Sequence, residues 1–379
     1  SRFLLDFSTK KQVVFDTTIN TKEVIFMEIG GFFPYEETSG AETNYAIRMC
    51  PSATDMKHLM SGRCAIYYCL QDSMLTDQRR VAYLPSYTCE TVTGCFVKAN
   101  YEIYYYDVDE HLVPQFDETL IDKISFLLIT GYYGFSTFDS EFVRKCRHHG
   151  VTVMQDTTHT ALSPSGCFAD VDYVAVSLRK WMGVISGGLA FKCGGTFQVT
   201  PLPADEHHLS VRDYALSTRH EYEHTNNEEL NKKSQDAFWK AEWELRKIYD
   251  IQEGDPKSLE TILHYPIDNA IEKRRKNFAY LLKHLPKNPE VRPIFTELPD
   301  DVCPMFFPFL VDNRNALMEH LAANEVPPKI YWPVPPFIDI TGYPKAEYVY
   351  GHIMSICCDQ RFSEEEMKKV VAVFEDYKK

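Results

Sequence analysis

The stretch VDYVAVSLRKWMGVISGGLAFK, residues 171–192, decides how the chain folds. It opens with an apolar, β-branched run from Val171 to Val176, the pattern of a buried strand. A polar break follows at Ser177, Leu178, Arg179 and Lys180. Gly187 and Gly188 then lead into a second apolar run, Leu189 to Phe191, which also reads as a strand. Lys180 therefore stands at the mouth of a buried strand, between core and solvent. Desolvation disfavours an ammonium group and lowers its pKa. A neutral lysine amine is a nucleophile toward carbonyl carbon, and the stable product is a Schiff base.

Upstream, VTVMQD (151–156) reads as another strand with a charged end. An aspartate at the carboxyl end of a strand faces the crevice where open α/β sheets bind ligands. Lys180 and Asp156 in one such crevice suit pyridoxal phosphate (PLP): the lysine holds the aldehyde, and the aspartate keeps the pyridine nitrogen protonated. Lysines and aspartates at strand ends are common, however, and these two residues alone leave an ordinary structural pair open.

Working outward, VAYL (81–84), YEIYYY (101–106) and ISFLLIT (124–130) read as strands. They alternate with helices at 88–98 and 139–149, the latter opened by Asp139 and closed by Gly150. This alternation predicts an α/β fold, a mainly parallel sheet flanked by helices on both faces. SGRCAIYYCLQD (61–72) reads as a helix whose Ser61-Gly62 start exposes free backbone N–H groups, a ready anion site. Arg63 can add a bidentate phosphate contact there, although Ser-Gly also caps ordinary helices. Residues 196–227 are polar and irregular and read as an exposed loop. Its histidines, His207, His208, His220 and His224, lack the companions of a metal site.

Long amphipathic helices are expected at 227–251 and 267–285, with Lys273, Arg274, Arg275 and Lys276 on a solvated face. Strands at 305–311, 329–332 and 348–356, with helices at 314–324 and 363–377, predict a smaller C-terminal α/β domain. The last helix opens on a capping box at Ser363. EVIFMEI (23–29) reads as a strand broken by Gly30-Gly31. The aromatics Phe32, Phe33 and Tyr35 then pack on the body, the alternative being an arm that reaches a ligand. The expected division is an N-terminal segment at 1–50, a large domain at 51–235 and a small domain at 236–379.

A chain of 379 residues buries a large core without staples. Its net charge of −14 argues against nucleic acid or an anionic membrane as partner over the general surface. The 11 cysteines are odd in number, include no CxxC pair and fit no zinc spacing, so reduced thiols in a cytoplasmic protein are expected, with no metal. No apolar run reaches the ~20 residues of a membrane span, and no signal-peptide pattern is present.

Taken in order, these motifs resemble the DegT/StrS family of PLP-dependent sugar aminotransferases, of the aspartate aminotransferase fold (PLP fold type I). SGRCA (61–65) stands where the family has its phosphate-binding helix start. LPSYTC (84–89) resembles its Pro-x-x-Thr element, and YYGF (132–135) its Tyr/Gly turn. QDTTH (155–159) resembles its Asp-x-x-Gln/His, and SLRKW with Gly187-Gly188 its Schiff-base lysine and glycine pair. The resemblance implies a large domain with a seven-stranded sheet and a smaller C-terminal domain.

It also implies roles for individual residues. Lys180 forms the Schiff base and then shuttles the α proton. Asp156 pairs with the pyridinium, and His159 lies beside the ring hydroxyl, where a packed strand-end histidine is the alternative. Ser177, Gly62 and the N–H groups of Arg63 and Cys64 hold the phosphate, although Ser177 fits a simple turn equally well. Three positions depart from the pattern. Cys89 replaces an aromatic that often stacks on the cofactor ring, so stacking is weaker or comes from elsewhere, with Tyr87 a candidate. Ser177 precedes the lysine by three residues where many members have five, and Arg63 replaces the commoner Thr.

The function implied is amino transfer from glutamate to a nucleotide-linked keto sugar, with ping-pong kinetics, in a homodimer whose second subunit completes the site. Arg361, Tyr331 and Trp332 are candidates for substrate contact, with structural roles as the alternative. A PLP-dependent lyase acting on an amino acid would use the same cofactor residues. A non-catalytic binding or regulatory protein that has kept the fold is the third possibility.

Overall fold

The computed structural model describes residues 29–36, 38, 42, 43 and 45–377. Most of the strand expected at 23–29 lies outside these residues. After a short helix α1 (Tyr45–Met49), strand β1 (Asp55–Leu59) leads into helix α2 (Gly62–Ser73). There follow β2 (Val81–Pro85), α3 (Glu90–Lys98), β3 (Glu102–Val108), the two-residue β4 (Pro114–Gln115) and β5 (Phe126–Thr130). Next come α4 (Ser140–His148), β6 (Thr152–Asp156), β7 (Tyr173–Ser177) and β8 (Gly188–Lys192). These eight strands form one sheet in the order β1-β8-β7-β6-β5-β2-β3-β4.

The inner strands β3, β2, β5, β6 and β7 run parallel. β8, β1 and β4 pair antiparallel at the two margins. Seven strands were expected; the eighth is the short β4, too brief to carry a hydrophobic pattern. All five residues of β5 and of β7 are buried, as apolar strands covered on both faces must be. One core face packs on α2 and α3. The other merges with the core of the C-terminal part.

Two antiparallel helices follow, α5 (Glu206–Thr225) and α6 (Glu228–Leu245). The loop expected at 196–227 is thus mostly helix. Asp205 caps its start by accepting the His208 N–H, and Asn226 ends it in the left-handed conformation. Its buried face runs through Leu209, Arg212, Leu216 and Arg219. Two arginines on that stripe make it look solvated to a polarity pattern.

The chain continues through α7 (Pro256–Leu263), α8 (Ile267–His284), β9 (Val291–Pro293), β10 (Phe307–Val311) and α9 (Arg314–Ala323). It closes with α10 (Pro344–His352), β11 (Ile353–Ile356) and α11 (Glu364–Asp376). β11, β10 and β9 form an antiparallel three-stranded sheet. The strand expected at 329–332 is reduced to a single bridge, Lys329 to Ser355. Pro327, Pro328 and Pro333 flank it and cannot donate to a ladder. The strand expected at 348–356 begins only at Ile353, because Pro344 starts a helix that runs to His352. Among the described residues no helix is long and apolar enough to cross a membrane.

Candidate active site

β6 and β7 are parallel neighbours that end at one margin of the sheet, so Asp156 and Ser177 open onto a common crevice. A 3-10 turn at Leu178–Lys180 carries the chain from Ser177 to the lysine. The crevice is a cavity of about 320 Å³ bordered by Asp156, His159, Ser177 and Lys180. From the α2 start it takes Ser61, Gly62 and Arg63, and from the α3 start Cys89.

Two glycines permit the close packing behind this wall. A Cβ on Gly62 would lie 2.7 Å from Ser177 Cβ, and one on Gly188 would lie 2.1 Å from the Ser61 carbonyl oxygen. The floor is held by hydrogen bonds. Thr158 N–H donates to Asp156 Oδ1 (2.9 Å), Ser177 N–H to Thr158 Oγ1 (3.0 Å), and Trp181 Nε1–H to the Thr158 carbonyl (2.7 Å).

Burial sets the protonation of the central groups. It lowers the pKa of Lys180, against the pull of Cys89 and Asp156. It raises that of Asp156, against the Thr158 hydrogen bonds and the lysine charge. Burial, joined by the lysine charge, holds His159 well below the usual imidazole range. A neutral His159 can accept a hydrogen bond, and its Nε2 lies 3.3 Å from Lys180 Nζ. The other ring nitrogen, Nδ1, is buried with no partner among the described residues.

The aromatic wall comes from residues 331 and 332. Trp332 stacks on the His159 ring at 5.0 Å, and Lys180 Nζ lies 5.1 Å from the Tyr331 ring centre and 5.4 Å from that of Trp332. Tyr87, the expected stacking candidate, is fully buried behind this wall, against Tyr132, Trp332 and Tyr350.

Other expected contacts are corrected. The Arg63 guanidinium donates to the carbonyls of Leu245, at the end of α6, and Ile248, just past it, and lies over the Tyr249 ring, so it is not aimed at a phosphate. Carbonyls at the C-terminal end of a helix attract a cation through the helix dipole. Cys64 is fully buried and does not border the cavity; its N–H donates to Ser61 Oγ (3.3 Å), closing the helix start. Arg361 pairs with Asp359 at 2.7 Å and holds the Phe32 carbonyl. Phe32 and Phe33 border a second cavity shared with Lys180, so the aromatic segment does reach the site.

Residues not anticipated also meet here. Arg179 and Glu242 form an ion pair at 3.0 Å on the cavity wall, and Trp239 and Trp243 stand on its rim. Behind the lysine Arg274, expected on a solvated helix face, is instead fully buried; it lies over the Trp181 ring and donates to the Met305 carbonyl (2.8 Å) and to Gln360. Gln360 in turn donates to the Trp181 carbonyl (2.7 Å).

No family model matches the chain, and no curated protein matches it. Solved structures do. CalS13, a sugar aminotransferase from Micromonospora echinospora, superposes with a TM-score of 0.58 over 88% of this chain and 91% of its own, at 14% identity. The fold is that of the sugar aminotransferases. PseC of Helicobacter pylori, an aminotransferase involved in the biosynthesis of pseudoaminic acid, gives 0.60 over 93% and 100%, at 13% identity. AtS13 of Actinomadura melliaura gives 0.58 over 92% and 100%, at 16% identity. The sugar-aminotransferase fold is thus kept almost end to end on a largely different sequence.

Proposed function

We propose that the protein is a PLP-dependent aminotransferase that moves an amino group from glutamate onto a keto sugar carried on a nucleotide. The observation that carries this reading is the convergence of Lys180 and Asp156 on one cavity, each with its charged form disfavoured by burial. The donor set fits the cofactor. A lysine of lowered pKa is a competent nucleophile, and a buried carboxyl is matched by a ring N–H⁺. His159 presents a buried Nδ1 with no partner among the described residues. The volume of about 320 Å³ lies within the range of small-molecule sites.

Lys180 would hold the aldehyde carbon, Asp156 the ring nitrogen, and Ser177 with the backbone at Gly62 and Arg63 the phosphate. His159 would flank the ring hydroxyl, with Trp332 and Tyr331 as the aromatic boundary. When bound, PLP supplies an electrophilic aldehyde and a conjugated ring that stores an electron pair. Lys180 Nζ, when free, would be the general base and acid that moves the donor's α proton. The buried walls keep water from that proton transfer.

Trp239 and Trp243 are 61% and 55% exposed on the cavity rim. Exposed aromatics beside a site favour a homodimer in which the second subunit completes it. A cytoplasmic location accords with the many free cysteines.

The test is the visible spectrum of the purified protein with added PLP, wild type against Lys180→Ala. A band that the variant lacks, and that glutamate discharges with release of one equivalent of keto acid, is the expected result. Absence of the band from the wild type would remove the reading. Keto-acid release that continues without an acceptor would replace amino transfer by another reaction on the amino acid.

A further inference from the structure

The second cavity, of about 490 Å³, shares Ser177, Arg179, Lys180, Glu242 and Tyr331 with the first. Arg179, Lys180, Arg212, Arg219 and Lys329 border it with Glu242, the one carboxylate among its described lining residues. Arg219 is paired with Glu223 at 3.2 Å, so the cations that meet Glu242 are Arg179 and Arg212. Arg212 rises from the buried face of α5 and is 4% exposed. Its Nη1 donates to Glu242 Oε1 at 2.7 Å, and Arg179 Nη1 donates to the same oxygen at 3.0 Å.

Two guanidinium groups thus share one carboxylate oxygen, where each can bind a carboxylate through two parallel bonds. The Nε atoms of both arginines are buried with no partner among the described residues. The electrostatics agree. Burial and the neighbouring Arg179 lower Arg212 to about 9, against the pull of Glu242. Burial would raise Glu242, yet the two arginines carry it down to about 2. The nearby His208 is lowered to about 4, chiefly by burial, so it is neutral near pH 7 and cancels nothing.

We propose that Arg179 and Arg212 form the subsite for a carboxylate of an acidic amino donor, and that Glu242 holds the place of that carboxylate until the donor arrives. This rests on Lys180 being the residue that faces the donor amine. The two arginines already grip a planar carboxylate, which favours that group over a phosphate. Arg179, one residue from Lys180, borders both cavities and so ties the subsite to the lysine.

The experiment uses the full chain without cofactor, titrated with glutarate and followed by tryptophan fluorescence, since Trp239 borders the cavity. The wild type is expected to bind glutarate, Arg212→Gln to bind it at least tenfold more weakly, and Glu242→Gln to bind it several-fold more tightly, because the internal competitor is gone. Glutarate should also raise the melting temperature of Glu242→Gln more than that of the wild type. No glutarate binding by the wild type, equal binding by Arg212→Gln, or unchanged or weaker binding by Glu242→Gln would overturn the proposal. Should Arg212→Gln fail to fold, Glu242→Gln decides alone. Uridine diphosphate is titrated in parallel; if it binds in place of glutarate and is lost in Arg212→Gln, the subsite serves a phosphate and the carboxylate assignment fails. These readouts need no cofactor, so a missing PLP band with intact glutarate binding counts against the aminotransferase reading, and the reverse result against the subsite.

Discussion

Gly62→Ala should destabilise the protein, although alanine is the better helix former. In an exposed helix interior the exchange gains about 1 kcal/mol, and less at the first helical position. Against this stands a collision. The new methyl would lie 2.7 Å from Ser177 Cβ and 3.4 Å from Ser177 Cα and N. Carbon atoms in contact sit about 3.5–4.0 Å apart, so the overlap is about 1 Å. Ser177 cannot yield freely, because its N–H is held by Thr158 Oγ1 at 3.0 Å. Overpacking of this kind costs about 1–3 kcal/mol, which leaves a net loss of about 1–2 kcal/mol after the propensity gain. Ser177→Gly removes the atom that is struck, so Gly62→Ala in that background should cost little. The propensity gain cancels in the double-mutant cycle, so the coupling should equal the overpacking cost, about 1–3 kcal/mol. Urea unfolding of the four proteins measures it, and a parallel PLP titration should show weaker cofactor binding in Gly62→Ala. Equal stability of Gly62→Ala and wild type, or the same loss in both backgrounds, would refute the close approach of α2 to β7 on which the proposed phosphate site depends.

Trp332→Ala should shorten retention of added PLP during dialysis, and Trp332→Phe should restore much of it, since a ring would again cover His159; visible absorbance reads both. Glu36 is raised to about 7, by burial first, against the Tyr265 hydroxyl and Arg361. Its folded form therefore holds a proton that the unfolded chain releases near 4.5, so stability should fall as pH rises between those values. Glu36→Gln should abolish that decline, as urea midpoints across the window will show. Asp359 is the opposite case. Burial would raise it, but Arg361 carries it down to about 2, so its contribution should be present above about pH 4 and lost as pH falls toward 2; acid unfolding of Asp359→Asn should lack that component. Arg274→Met should cost about 3 kcal/mol, because buried carbonyls and Gln360 lose their donor; urea unfolding measures the loss.

The sheet was legible because its inner strands are covered on both faces and read as unbroken apolar runs, and because Lys180 and Asp156 interrupt two such runs at their ends. The helix bearing Arg212 was not, since a buried arginine and a solvated one are the same letter. Tyr331 and Trp332 could be noticed but not placed, because their position depends on a proline-flanked segment crossing back over the sheet. Arg63 was misread for a similar reason. A helix start suggested an anion, yet the carbonyls around the end of α6, distant in sequence, are what its guanidinium meets. Local pattern reports where backbone groups are exposed; which side chain arrives there is a tertiary matter.

The residue after the lysine is tethered from two sides by the C-terminal part of the chain, with Arg274 on its ring and Gln360 on its carbonyl. Because the same ring also donates to the Thr158 carbonyl at the sheet end, a rotation of that lobe would pull on the Lys180 turn against its anchor in the sheet. Any opening that admits a bulky acceptor while keeping that amine in place has to be made by elements outside this brace; α6, which carries Trp239 and Trp243, could make it only by giving up the Arg179–Glu242 ion pair.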